Sequence, residues 1–464
     1  AAIYAGQVRS IPPIMRRIVE ISERGYDLSN LLINGNPNEV VKLSNLIALH
    51  YGENSELAQA SKLGAFPHYA NLPNGIKMAT EHALRKRHFS FVVCTTTLAE
   101  GVNIPIKYLF LTTFSLGITS VQIRKIQNLV GRTARSGIHT EGSAIITNSN
   151  FYDNRSTWQG GGKYKWADCK KMFDYGYTEA CMSAILSLVS NLQIDYDSYY
   201  PANALIAHLI ENYNKPSCFS TLISTIQEGY RNDMSDDERY ARYSPGIERE
   251  ITQLEHVIES IENYLCYIYN SQQNHEQFFN SVETLAAQTF AYYLGNDEQK
   301  KALSTIFNLI AQKIVSDVKP EKTAYFARSL YGIDISNQVL SWVDENIESL
   351  EVCSTDQLLV AMVNLFMQLF PDKATIDTDE LITVSRLWIA GEPYLEIYNK
   401  LQGKLQIRQI EKLCINILSF HLCFLIGNIV DAIGERAEEL SEQLDLLQKI
   451  IKYGPPLPRS EEHT

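Results

Sequence analysis

The chain has 464 residues, 45% of them hydrophobic, and a formal net charge of −12. That composition excludes bulk disorder and leaves room for two to four domains with their own cores. None of its eight cysteines forms a Cys-x-x-Cys pair, which argues against a zinc ribbon or an iron–sulfur cluster and points to a reduced, cytoplasmic protein with no metal site of its own.

The charge is uneven. Residues 1–150 hold 15 Lys/Arg against 9 Asp/Glu, whereas the remainder holds 26 against 44. A mildly basic domain on an acidic body suits a local anion-binding groove better than a broad basic face. Residues 1–150 alternate short apolar strands (Ala2–Ala5, Ala65–Tyr69, Phe89–Cys94, Tyr108–Thr113, Ser143–Thr147) with amphipathic segments near 12–24, 38–50, 54–63, 74–87 and 119–133. This pattern predicts an α/β domain whose parallel sheet carries helices on both faces. Ligands of such domains bind at the carboxyl ends of the strands. The first strand opens the chain without an initiating Met, so residues are expected upstream.

A polar stretch at 151–165, with Gly160-Gly161-Gly162, reads as a linker or loop. A helical connector (166–242) and a helical domain (243–454) follow, then a tail at 455–464. Helices are expected near 166–192, 201–212, 276–294, 297–316, 336–349, 355–369, 378–390, 392–401 and 407–433. Ile247, Ile251, Leu254, Ile258, Ile261 and Leu265 recur at helical spacing, and Ser244-Pro245 reads as the start of that helix. Leu413–Ile433 is the most apolar stretch. Asn416, Ser419, His421 and Asn428 interrupt it, so a buried core helix is expected rather than a membrane span.

Two motifs carry chemistry. In Gln127-x-x-x-Gly131-Arg132-Thr133-Ala134-Arg135, two arginines three apart share one side of a helix, and guanidinium groups bind phosphate oxygens through paired hydrogen bonds. In Thr95-Thr96-Thr97-Leu98-Ala99-Glu100-Gly101-Val102-Asn103-Ile104-Pro105, hydroxyls and amides leave a buried strand, as a phosphate-holding turn requires, and Gly101 permits a close backbone approach.

Together these segments resemble motifs V and VI of superfamily 2 helicases, in the Leu-Ala-Glu-Gly-Val-Asn-Ile-Pro form of the Ski-like and archaeal repair branch. The resemblance implies that Arg135 and Arg132 act catalytically on ATP. It implies that Gln127, Gly131, Gly101 and Asn103 contact the nucleotide, and that Thr95 and Thr96 hold the nucleic-acid backbone. Gly64-Ala-Phe-Pro-His68-Tyr69-Ala-Asn-Leu-Pro73 resembles a further segment of these helicases on the nucleic-acid track. His68 then either contacts a phosphate or caps a strand. Trp388-Ile-Ala-Gly391 resembles the turn joining two helices in their C-terminal domain. Trp388 itself reads more readily as core than as a base-stacking residue.

The Gly-Lys-Ser/Thr of a phosphate-cradling loop is absent from the chain. ATP and Mg2+ are therefore expected to depend on an N-terminal RecA-like domain that these residues lack. By that reading this is the second RecA-like domain plus C-terminal helices of a helicase or translocase, and is inactive alone. The divergent helical half resembles bacterial antiphage-defence helicases such as the Hachiman-type subunit, which implies DNA as the track and an effector nuclease as a partner. The alternatives are a Ski-like RNA helicase and a degenerate scaffold that binds a partner protein. No residue here reads a 2′-hydroxyl, so the sequence itself does not separate DNA from RNA.

Overall fold

The computed structural model describes all residues except 33–34, 99–105, 114, 117–118, 121–122, 134–140, 149, 158–161, 175, 177–182, 195–197, 233–236, 273 and 454–464. The five expected strands form as β1 (Ala2–Tyr4), β2 (Ala65–His68), β3 (Phe91–Cys94), β4 (Tyr108–Leu111) and β5 (Ser143–Ile146). They pair side by side in the order β2-β3-β1-β4-β5, and every pairing is parallel. Helices α1 (Ile11–Glu23), α2 (Pro37–Tyr51), α3 (Glu56–Lys62), α4 (Asn74–Arg85) and α5 (Ile123–Val130) alternate with them.

Local signals start these helices. The Asn36 side chain accepts from the amides of Asn38 and Glu39 while Pro37 takes the first turn of α2, and Ser55 accepts from Ala58 at the start of α3. The strands read as unbroken apolar runs because the sheet is covered on both sides. Ala2, Tyr4, Val92, Cys94, Leu109 and Leu111 share one face, packed with Ile126 and Leu129 of α5 and with Cys169 and Trp166 of a helix over Gly162–Phe173. Helices α1 and α3 pack on β2, and α1 also on β3, burying Ile11, Met15, Leu57 and Ala58. Each buried Ile, Met or Leu side chain contributes roughly 1.5–3 kcal/mol.

The chain divides into two compact units: residues 1–180 with 359–423 and 449–464, and residues 181–358 with 424–448. The first unit adds helices Thr378–Ile389, Tyr394–Lys400 and Ile407–Lys412 to the sheet domain, the last continuing as a π-helix over Leu413–Leu422. The expected turn forms at Gly391, whose φ of 81° favours glycine. Trp388 is a core residue, as anticipated: it is 8% exposed, stacks on Tyr394 at 5.8 Å, and its Nε1 donates to the Ile451 carbonyl at 2.8 Å.

The second unit is helical. Its longest helix, Asp237–Gln272, buries the expected stripe from Ile247 to Leu265. It begins earlier than Ser244-Pro245 and carries Pro245 inside it. An interior proline forfeits one backbone bond at a cost of ~3 kcal/mol, which the buried stripe outweighs. Glu262 on this helix accepts from the Tyr213 hydroxyl at 2.5 Å and from the Ile333 amide at 2.7 Å. Lys313, only 5% exposed, lies 3.9 Å from Glu262 and 2.9 Å from Asp334.

Further differences from the expected elements are local. The segment at 166–192 resolves into the helix Gly162–Phe173 and a 3-10 turn over Ala184–Val189. The expected helix at 276–294 breaks at Thr289, whose side chain caps Phe290–Leu294 by accepting from the Tyr292 amide. Helices over Cys218–Asn232 and Glu438–Tyr453 join those expected. Among the described residues, Ile407–Arg436 is the one helix long and apolar enough to cross a membrane. Its Leu413, Ile417, Leu418, Leu425, Ile426 and Ile429 are buried in the protein, as the core reading expects.

Candidate nucleic-acid and nucleotide site

Sheet order places the candidate residues. The connection leaving β1 runs to β2 at one edge, and the connection leaving β4 runs to β5 at the other. The crevice between the carboxyl ends of β1 and β4 is thus the switch point where ligands of open parallel sheets bind. A cavity of about 570 Å³ opens there, lined by Ala5, Gln7, Arg9, Ser10, Thr112 and Thr113 among others. Its backbone is fixed by the sheet. The Ala5 amide donates to the Cys94 carbonyl at 2.8 Å, and the Thr112 hydroxyl donates to the Tyr4 carbonyl at 2.8 Å. Gly6 has φ of 76°, and a Cβ there would stand 2.3 Å from Thr113 Cγ2. Glycine is therefore what lets the chain turn out of β1 beside Thr113.

Thr95 and Thr96 leave the carboxyl end of β3, where the strand rule puts a ligand turn. The Thr95 amide donates to the His68 carbonyl at 3.2 Å, and the Leu98 amide donates back to the Thr95 carbonyl at 3.3 Å. Thr95 is 6% exposed, with its hydroxyl 3.1 Å from that of Thr97, while Thr96 is half-buried. Cys94 and Tyr4 are in register, as are Tyr4 and Leu111. The exits of β3, β1 and β4 therefore stand in a row, with Thr95 and Thr112 roughly 10 Å apart at the usual strand spacing. Hydroxyls and amides line that row, and Arg9 is exposed beside it.

His68 is 1% exposed, and its Nε2 lies 3.0 Å from Glu81 Oε1. Burial lowers the imidazole pKa below its ordinary value in spite of that carboxylate. In this geometry the ring anchors α4 to the end of β2, and the turn after it, rather than the ring, faces outward.

Motif VI sits elsewhere. Helix α5 ends in a turn in which the Gly131 amide donates to the Gln127 carbonyl at 2.7 Å and Thr133 Oγ1 to the Val130 carbonyl at 2.7 Å. The Ile106 amide donates to the Arg132 carbonyl at 3.1 Å, and Ile106 pairs with Thr133 in a parallel bridge. The chain that follows motif V is thus tied to motif VI at the entry to β4, at the amino end of the sheet. Gln127 and Arg132 are half-buried there and Gly131 is exposed. The structure therefore divides the expected residues. Thr95 and Thr96 stand at the carboxyl edge, Gln127, Gly131 and Arg132 at the amino end of β4. Arg135, Gly101 and Asn103 lie outside the described residues.

Sequence reasoning missed Arg9, Ser10, Thr112 and Thr113. A signal was present: Gly6-Gln7-Val8-Arg9-Ser10 directly follows the first strand, and the carboxyl-end rule applies to every strand of the sheet.

No family model matches the chain. It is similar to Hachiman protein HamB of Bacillus cereus, with 26% identity over 162 residues, 34% of this chain and 14% of that protein. It is similar to ATP-dependent DNA helicase Hel308 of Thermoplasma volcanium, with 34% identity over 83 residues, 17% of this chain and 12% of the helicase. It is also similar to Helicase POLQ-like of Drosophila melanogaster, with 30% identity over 90 residues, 19% of this chain and 9% of that protein. The matches span at most about a seventh of these relatives. Over these partial stretches the chain is homologous to Hel308 and POLQ-like helicases and to Hachiman protein HamB, the superfamily 2 group its motifs resemble.

Proposed function

We propose that the chain forms the second RecA-like domain and the C-terminal helices of an ATP-dependent nucleic-acid helicase or translocase, with DNA as its track and a role in antiphage defence. One observation carries the reading: the exits of β3, β1 and β4 align Thr95, Thr112 and the Arg9 pocket along one edge of a parallel sheet. The exposed Arg9 guanidinium, with the one hydroxyl proton that the Thr95–Thr97 pair leaves over, suits a phosphate backbone without reading its bases. The names of the Hel308 relatives support DNA, and the similarity to Hachiman protein HamB supports defence. An effector nuclease is the partner this role calls for.

The donor set at the end of α5 fits ATP on one side only. Gln127 and Arg132 offer an amide and a guanidinium, the chemistry that phosphate oxygens accept, with Arg135 three residues on. No Gly-Lys-Ser/Thr cradle accompanies them. On this reading a first RecA-like domain supplies the phosphate loop and the Mg2+ ligands. ATP, when bound, supplies the phosphoryl-transfer chemistry. This chain's part is to place Arg132 and Arg135 against the charge that develops, and to hold the strand at Thr95 and Thr96 while the domains close.

The test is anisotropy of labelled single-stranded DNA and RNA oligonucleotides with this chain over a salt series. Binding is expected, with DNA tighter. Arg9→Ala is expected to weaken it uniformly across sequences and to reduce the slope of log affinity against log salt by about 1. Tighter RNA binding would favour the Ski-like RNA reading. Binding of neither polymer would leave a protein-binding scaffold.

A further inference from the structure

Outside the site just described, the first unit contains a buried acid that the proposed chemistry does not use. Glu411, on the helix Ile407–Lys412, is 4% exposed. The hydroxyl of Tyr51, the last residue of α2, donates to its Oε1 at 3.3 Å, and the Tyr69 hydroxyl donates to that of Tyr51 at 3.2 Å. Tyr51 and Tyr69 are 9% and 3% exposed. Tyr69 is the first residue after β2, in the segment resembling the nucleic-acid track. The carbonyl of its neighbour His68 accepts the Thr95 amide. An unbroken chain of contacts thus runs from Glu411 through Tyr51 and Tyr69 to the turn that carries Thr95 and Thr96.

We infer that Glu411 is a positioning residue for the strand-holding turns: from the helical segment it fixes the turn after β2 and, through the His68 carbonyl, the amide of Thr95. The inference rests on the nucleic-acid reading only for what these turns hold. Truncating Glu411 leaves the Tyr51 hydroxyl buried without its acceptor, and a buried polar group without a partner loosens what it was holding.

The surroundings make this contact responsive to protonation. Burial pushes the Glu411 carboxyl up to about 7, against the lowering pull of the Tyr69 and Tyr51 hydroxyls and of Arg408 and Lys412 on its own helix. From the helix Tyr394–Lys400 the neighbour is Tyr394, and from the π-helix it is Cys414. His50 of α2 lies 5.1 Å from the Tyr394 ring and its Nδ1 accepts the Tyr394 amide at 3.5 Å. Burial alone lowers its imidazole to about 4, so it is neutral when Glu411 titrates. The change of charge near neutral pH therefore belongs to Glu411: the tyrosine hydroxyls bind its carboxylate more strongly, but the larger cost of keeping that charge buried favours opening of the region around Tyr69.

The experiment is amide hydrogen exchange of residues 69–72 and of Thr95 in wild type, Glu411→Gln, Glu411→Ala and Tyr69→Phe, with single-stranded DNA binding measured in parallel. Glu411→Ala is expected to lower protection at both places by about tenfold, the effect of one buried hydrogen bond lost. Glu411→Gln, which still accepts from Tyr51, is expected to restore it. In wild type, protection corrected for intrinsic exchange falls as pH rises through about 7, and in Glu411→Gln it stays flat. DNA binding in Glu411→Ala weakens with an unchanged salt slope, unlike Arg9→Ala, because Glu411 touches no phosphate. Should Glu411→Ala fail to fold, Tyr69→Phe and the two pH profiles decide. Unchanged protection in the Ala variant, or in Tyr69→Phe, overturns the inference, as does a wild-type profile flat across neutral pH. If wild type binds no strand while protection follows Glu411, the nucleic-acid reading fails and the positioning role stands.

Discussion

Gly6→Ala perturbs the switch-point pocket at one atom. Gly6 has φ of 76°, and a Cβ there would lie 2.3 Å from Thr113 Cγ2. Holding a non-glycine residue in this left-handed region costs ~1–2 kcal/mol. The contact with Thr113 is relieved by turning that side chain away from its rotamer, at ~0.5–1.5 kcal/mol. The expected loss is therefore about 2–3 kcal/mol, read as a lower midpoint in urea denaturation followed by circular dichroism. Thr113→Ser in the Gly6→Ala background removes Cγ2 and keeps the hydroxyl, so it returns about 1 kcal/mol while the φ cost remains. Because Thr113 lines the pocket, the single variant also weakens single-strand binding and the double variant regains part of it. Simple additivity of the two substitutions, or no change of midpoint in Gly6→Ala, refutes the reasoning.

Other variants separate the remaining interactions. Lys313→Ala strips the buried Glu262 of its counter-charge and is expected to cost ~3–5 kcal/mol in urea denaturation. Adding Glu262→Gln, whose single amide oxygen still accepts from the Ile333 amide while its NH2 donates to the Tyr213 hydroxyl oxygen, should recover more than half of that. Trp388→Phe keeps the stacking on Tyr394 and removes the Nε1 donor to the Ile451 carbonyl, which still accepts from the Ser419 hydroxyl at 3.2 Å, at a cost of ~0.5–1.5 kcal/mol by the same assay. Stability should also follow pH through His50 and Glu411. His50, lowered from 6.5 to about 4, gives stability that is lost as pH falls through that window, whereas Glu411, raised from 4.5 to about 7, gives stability that is lost as pH rises through its window. The two offset each other over their overlap. Glu411→Gln removes the second trend, so its stability relative to wild type should rise by about 3 kcal/mol between pH 4.5 and 7. Parallel curves for variant and wild type would contradict this.

The sheet domain was legible because its code is local. Phe91-Val-Val-Cys94 and Tyr108-Leu-Phe-Leu111 are short apolar runs set among amphipathic helices, and both became central strands. Thr95 and Thr96 followed from the rule that ligand turns leave strand ends. What the sequence hid was long-range. The row formed by Thr95, Ala5 and Thr112 depends on strand order, which no local pattern reports. Glu411 is one more acid on a short helix until the fold sets Tyr51 and Tyr69 beside it. Cys218–Asn232 is rich in Ser, Thr and Ile, poor helix formers, yet Cys218, Leu222, Ile226 and Tyr230 recur every four residues and are all buried. At Ser244-Pro245 a local start signal gave way to the buried face of a 36-residue helix that begins earlier.

The most direct measurement of the central claim is ATP hydrolysis by the polypeptide that joins this chain to its first RecA-like domain. Rates are compared without polymer, with single-stranded DNA and with single-stranded RNA, in wild type, Arg132→Ala and Arg135→Ala. The account predicts stimulation by DNA that falls by about 10³-fold or more when Arg135 is removed. Hydrolysis indifferent to both polymers and to both arginines would contradict it.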